Sequence, residues 1–155
     1  MKLQNNLLNM LDIFIDTNRI QFFTNPVLPE YIKLISWLKE KGSLVLTNKL
    51  LTEYGGGCQH ISTEENIMVL IDFLQQQEED RINFITNSKL GEFKIKKKDF
   101  KNIRSKKSDI VHLKSVLISH RRLALTDDQN LTYDINNYPG YRGIAKSNPN
   151  DLPYE

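Results

Sequence analysis

The chain has 155 residues, 39% of them hydrophobic, with a single cysteine and a formal net charge of +2. That length suits one compact domain, and the near-balanced charge excludes a polycation that would bind nucleic acid over its whole surface. The lone Cys58 excludes an internal disulfide and a cysteine-rich zinc site. No apolar run approaches the ~20 residues needed to span a bilayer, and the first residues lack the basic, apolar and small-residue sequence of a signal peptide. A cytoplasmic domain with no membrane partner is expected.

In chain order, a polar lead over Met1 to Met10 enters a first apolar strand, Ile13 to Ile15, which stops abruptly in Asp16-Thr17-Asn18. Asn25-Pro26 and Leu28-Pro29 mark a loop and a helix entry, since proline is tolerated in a first turn. Ile32, Ile35 and Leu38, with Leu34 and Trp37 beside them, predict the inner stripe of a helix ending near Gly42. Leu44 to Leu46 reads as a second strand feeding a brief helix, Lys49 to Tyr54, which Gly55-Gly56-Gly57 is expected to break. Ser62 and Glu65 have the spacing of a capping box, and Ile67, Leu70, Ile71 and Leu74 form the apolar face of the next helix.

Ile82 to Ile85 predicts a third strand. Between Lys94 and Lys107 stand eight basic residues against one acid, Asp99, so charge is concentrated locally on a balanced chain. Ser108 is expected to cap a helix whose Ile110, Leu113 and Leu117 face inward. Leu123 to Thr126 reads as a fourth strand ending in Asp127-Asp128. From Asn136 onward, Asn, Pro and Gly predict a loosely held tail with little regular structure. Strands alternating with helices predict a three-layer α/β/α architecture around a mainly parallel sheet of four to five strands. The organisation expected is a domain over residues 1–135 and a tail over 136–155.

In open α/β sheets, ligands bind beyond the carboxyl ends of the strands. Asp16, Glu53, Asp109 and either Asp127 or Asp128 each fall at a strand end or near a helix start. Gathered on one edge, such carboxylates would repel strongly in a low-dielectric cleft, and a divalent cation removes that cost. Oxygen-only donors, without a Cys or His set, point to Mg²⁺ or Mn²⁺ rather than zinc. Each acid also has an ordinary explanation. Asp109 in a first turn gains about 0.3–1 kcal/mol from the helix dipole, Asp127 or Asp128 could cap a helix, and Glu53 could be a surface acid. His60, His112 and His120 make no metal set; His112, three residues after Asp109, reads first as a packed histidine.

Four segments taken together resemble the PIN-domain superfamily of metal-dependent nucleases, which includes the VapC-type toxin ribonucleases. They are Phe14-Ile15-Asp16-Thr17-Asn18, Leu50-Leu51-Thr52-Glu53-Tyr54, Ser108-Asp109-Ile110-Val111-His112-Leu113 and Leu125-Thr126-Asp127-Asp128-Gln129-Asn130-Leu131. Steps of 37, 56 and 19 residues separate Asp16, Glu53, Asp109 and Asp128. The resemblance implies a PIN-like fold and an acidic quartet of Asp16, Glu53, Asp109 and Asp128 holding Mg²⁺ or Mn²⁺. Asp127 is the alternative fourth acid, selected by a one-residue shift. Thr17, Asn18 and Thr126 would orient carboxylates or water.

The implied activity is phosphodiester hydrolysis, on RNA in the first place and DNA in the second. Lys94, Lys96, Lys97, Lys98, Lys101, Arg104, Lys106 and Lys107 would track the backbone phosphates; as a plain charge run, the same residues would be a solvated connection. For a toxin, the resemblance further implies an antitoxin covering the acidic cleft, and a homodimer. The competing expectation is a PIN-like binding or regulatory module with weak or absent catalysis.

Overall fold

In the computed structural model, residues 10–24, 28–58, 66–79 and 81–155 are described. Residues 1–9 of the polar lead, Asn25-Pro26, His60 and the Ser62–Glu65 capping box fall outside them. Apolar runs too short for helices form the sheet: β1 (Asp12–Ile15), β2 (Ser43–Leu46), β3 (Ile82–Phe84) and β4 (Leu123–Leu125). A fifth strand, β5 (Ile144–Lys146), completes it. All neighbours pair in parallel, in the order β3-β2-β1-β4-β5, with Phe14 beside Ala124 and Ile15 beside Leu125. Every residue of β1, β2 and β4 is buried. A parallel sheet requires this, because its crossovers lay helices on both faces.

The helices are α1 (Pro29–Glu40), α2 (Asn48–Cys58), α3 (Ile67–Gln75), α4 (Asn87–Glu92), α5 (Lys97–Phe100), α6 (Ile110–Ile118) and α7 (Gln129–Asn137). As the chain steps from β1 outward to β3, the crossovers bring α1, α2 and α3 together in one layer, as the right-handed rule for parallel strands requires. The return past β1 to β4 and β5 carries α4, α6 and α7 to the other, giving the expected α/β/α layering. Among the described residues, no helix is long and apolar enough to cross a membrane.

Four local expectations are corrected. The inner face of α1 is Tyr31, Leu34, Trp37 and Leu38, while Ile32 is 47% exposed. The Tyr31 ring, stacked on Phe22 and edge-on to Phe23, supplies the inward anchor that Ile32 was expected to give. The glycine triplet does not break α2, which runs through it to Cys58. A Cβ on Gly57 would stand 2.9 Å from Ile20 Cδ1, so the missing side chain lets α2 lie close against the 3-10 turn Thr17–Phe23. Ser108 does not cap α6. A 3-10 turn, Lys107–Asp109, precedes that helix and puts Asp109 at the cap position.

The fourth correction is the tail, which is neither loose nor irregular. It supplies β5, where Ala145 is buried against β4 and its N–H donates to Asn136 Oδ1 at 2.8 Å. Beyond β5, Pro149 and Leu152 are buried, Tyr154 packs edge-on against Trp37, and Arg121 donates to the carbonyls of Pro153 and Tyr154. Earlier in the chain, Phe93, Tyr138 and Tyr141 form an aromatic cluster with centroids 5.4–6.1 Å apart.

At the amino end of the sheet, the fully buried Asp12 carboxylate accepts from Asn83 Nδ2 and from the N–H groups of His120 and Arg121, at 2.8, 3.0 and 2.9 Å. It binds β1 to β3 and to the turn before β4, where Arg122 holds a positive φ of 52°. Asp12→Ala strands these donors and should cost about 3 kcal/mol in urea unfolding. A loss below about 0.5 kcal/mol, the usual range for surface substitutions, would contradict this role.

Candidate functional site

The strand order fixes where chemistry can occur. Connections leave β1 and β4 toward opposite edges and opposite faces, so a crevice opens between their carboxyl ends. This reversal point is where open α/β sheets bind ligands. The residue that follows β1 is Asp16, and the residue that follows β4 is Thr126.

Asp16 is held from both strands. Its N–H donates to the Leu125 carbonyl at 2.9 Å, extending the β1–β4 ladder by one bond. Oδ2 accepts from the buried Thr126 hydroxyl at 2.6 Å and from Asn18 Nδ2 at 3.4 Å, and Oδ1 accepts from the Thr17 N–H at 2.8 Å. Burial nevertheless dominates and holds the Asp16 carboxyl above the usual carboxylate range. The Thr126 hydrogen bond, His112 and the Thr17 N–H pull it down, while Glu53 pushes it up.

Glu53 enters from α2. Its carboxylate accepts from Thr17 Oγ1 at 3.3 Å and takes His112 Nε2 on both oxygens, at 3.1 and 2.8 Å. Thr17 therefore joins the two acids, donating its N–H to one and its hydroxyl to the other. His112 is buried, tilted against Phe14 with centroids 5.2 Å apart, and its Nδ1 has no partner among the described residues. Lys49, one turn before Glu53 on α2, donates from Nζ to the Ser108 carbonyl and binds this helix to the turn that bears Asp109.

The remaining acids divide. Asp109 occupies the cap position of α6, one turn before His112, but makes no capping bond. Among the described residues its carboxylate has no partner; it sits at the positive end of the helix, so the dipole explanation still applies to it while no capping bond does. Asp128 does cap: Oδ1 accepts from the N–H groups of Asn130 and Leu131 at the start of α7, and its own N–H donates to Thr126 Oγ1. Asp127 turns outward, 62% exposed and paired with Arg19 at 2.9 Å, while its N–H donates to Asn18 Oδ1. The structure thus joins Asp16 and Glu53 through Thr17 and leaves Asp109 without a side-chain partner among the described residues, one helical turn before His112. Among the described residues, no three of the His, Cys, Asp and Glu side chains form a ready metal-binding group.

The basic segment is parted by the fold. All eight of its cations are exposed. Lys94, Lys96 and Lys98 surround the Phe93–Tyr138–Tyr141 cluster, together with Asp99. Arg104 instead lies with Thr126 and Asp127, and Lys106 and Lys107 adjoin Asp109. Phe93 is an anchor within that cluster, whereas Phe100 is 50% exposed. Sequence reasoning missed the His112–Glu53 pair, the Arg19–Asp127 pair and the Asp134 carboxylate, which receives the N–H groups of Arg104 and Ser105. Only His112 carried a signal, its three-residue offset from Asp109.

No known family profile, no curated protein and no solved structure matches the chain.

A carboxyl raised by burial opposes folding once it ionises. Below the unfolded value of 3.8 both states are protonated, and stability falls as pH rises from there through the higher folded value. Asp16→Asn should therefore melt above the wild type at pH 7 without divalent ions, with the gap closing below pH ~4. A variant that is less stable at pH 7 would show that the hydrogen bonds to Asp16 outweigh its dehydration.

Proposed function

We propose that the chain is a PIN-like nuclease that uses Mg²⁺ or Mn²⁺ to hydrolyse phosphodiester bonds, with RNA the primary substrate. The observation that carries this reading is the dehydrated Asp16 beside Glu53 at the sheet's reversal point, joined through Thr17. Two adjacent hard-oxygen carboxylates suit Mg²⁺, which usually takes one or two carboxylates, keeps several waters and leaves room for substrate phosphate. Asp16 and Glu53 would hold the ion, with the unengaged Asp109 and the second oxygen of Asp128 as further carboxylates.

When bound, the ion supplies an activated water and stabilises charge on the phosphoryl group. Thr126 and Thr17 fix the two Asp16 oxygens, so the carboxylate does not reorganise when charge arrives. His112 grips both Glu53 oxygens from a buried position and sets the plane of that carboxylate. Arg104, which shares a groove with Thr126, and the exposed Lys106 and Lys107 just before Asp109 offer positive charge to a polyanionic strand. In a toxin–antitoxin pair, an antitoxin segment would cover this crevice, and homodimerisation would fit the same reading.

A second reading, a binding or regulatory module, is favoured by one observation: no ready three-residue chelate exists among the described residues. Purified protein with Mn²⁺ and single-stranded RNA separates the two. Cleavage should occur, disappear with EDTA and fall to background in Asp16→Asn. His112→Gln should cost about 10–100-fold through misorientation of Glu53. Cleavage that survives Asp16→Asn or EDTA would remove this mechanism, and calorimetry that shows no divalent binding would select the module.

A further inference from the structure

Beside the crevice, a groove of about 570 Å³ extends from Thr126 and Asp127 across α7 to the carboxyl end of β5. Its size falls within the roughly 300–1,000 Å³ of small-ligand sites. Much of its polar lining is already committed: Asn136 to the Ala145 backbone, Thr132 to the Asp128 carbonyl and Asp127 to Arg19. Among the described residues, what stays free is Arg104, Lys146, Ser147, the Gln129 amide and one carboxylate, Asp151, so two cations face a single uncommitted acid.

Arg104 is the most constrained of these. Its guanidinium lies over the Tyr133 ring, 3.4 Å from the centroid. Its backbone is pinned, because the N–H groups of Arg104 and Ser105 donate to the buried Asp134 carboxylate at 2.9 and 2.8 Å. Yet among the described residues the guanidinium donates no hydrogen bond and pairs with no carboxylate. A stacked, positioned guanidinium with unspent N–H groups suits the planar, two-point contact that a phosphate accepts.

We infer that this groove seats a nucleotide flanking the scissile phosphate of a single strand, with Arg104 on that nucleotide's own phosphate. The inference rests on the nuclease reading, since Thr126 belongs to both the groove and the Asp16 site. It sets Arg104 apart from the lysines of its segment. Their charges act at a distance, whereas this contact is directional.

The test uses a fluorescent single-stranded RNA and the Asp16→Asn protein, so that binding is read without cleavage. Arg104→Ala should weaken binding about tenfold and lower the salt slope by about 0.7, the value for one phosphate on a single strand. Arg104→Lys should restore the slope but not the affinity. Ser147→Glu, which changes an exposed position, should weaken binding comparably. A 5′-nucleoside monophosphate should shift the amide resonances of Thr132, Tyr133, Lys146 and Ser147. Unchanged affinity and slope in Arg104→Ala, full rescue by lysine, or shifts confined to the Lys94–Lys98 surface would overturn the inference. Wild-type protein that binds in this groove but never cleaves would instead sink the nuclease reading alone.

Discussion

The hydrogen bond from Thr126 to Asp16 spans the one gap that the sheet topology creates. At the carboxyl ends of β1 and β4 the backbone ladder stops after the Asp16 N–H, and the two connections depart to opposite faces. Without a polar bridge, this would be a cleft with a half-buried carboxylate and no donor from the second strand. Thr126 supplies that donor while accepting the Asp128 N–H, so one hydroxyl ties the end of β1, the end of β4 and the start of α7. The arrangement is stiff but still leaves Asp16 dehydrated. Tension of this kind, at a site the fold does not need for packing, is typical of functional positions.

Two histidine–carboxylate and threonine–carboxylate contacts extend that rigidity to the other face. α2 comes close enough for Glu53 to meet Thr17 because Gly57 carries no side chain where Ile20 passes. Gly in a helix interior costs roughly 1 kcal/mol relative to Ala, and the close approach of helix and 3-10 turn is the structural return. His112 arrives on α6, packs against Phe14 of β1 and contacts both Glu53 oxygens. The crevice is therefore assembled from β1, α2, α6 and the β4–α7 turn, elements far apart in sequence.

The parts of this that were legible in the sequence follow from strong local signals. Phe14-Ile15-Asp16 reads as a buried strand ending in an acid, and both the strand and the acid's position follow from it. The Ile67–Leu74 face has the helical period and is buried as that period requires. Where reading failed, long-range packing overrode local preference. Gly55–Gly57 look like a helix breaker until Ile20 is seen against Gly57. β5 has a single buried residue, Ala145, between an Ile144 that is 37% exposed and a solvated Lys146, so no apolar run announces it. Its pairing comes from β4 and Asn136, neither visible locally. The division between Asp109 and Asp128 was equally hidden, because both precede helices and only geometry shows that one caps and the other does not.

The central claim, that Asp16 and Glu53 together hold a hard divalent cation, is tested most directly by paramagnetic NMR. Mn²⁺ titrated into the protein should broaden the amides around Asp16, Thr17, Glu53 and Thr126 first, with Asp109 among them, and Asp16→Asn should abolish the effect. Broadening centred on other acids, or none at millimolar Mn²⁺, would contradict the claim.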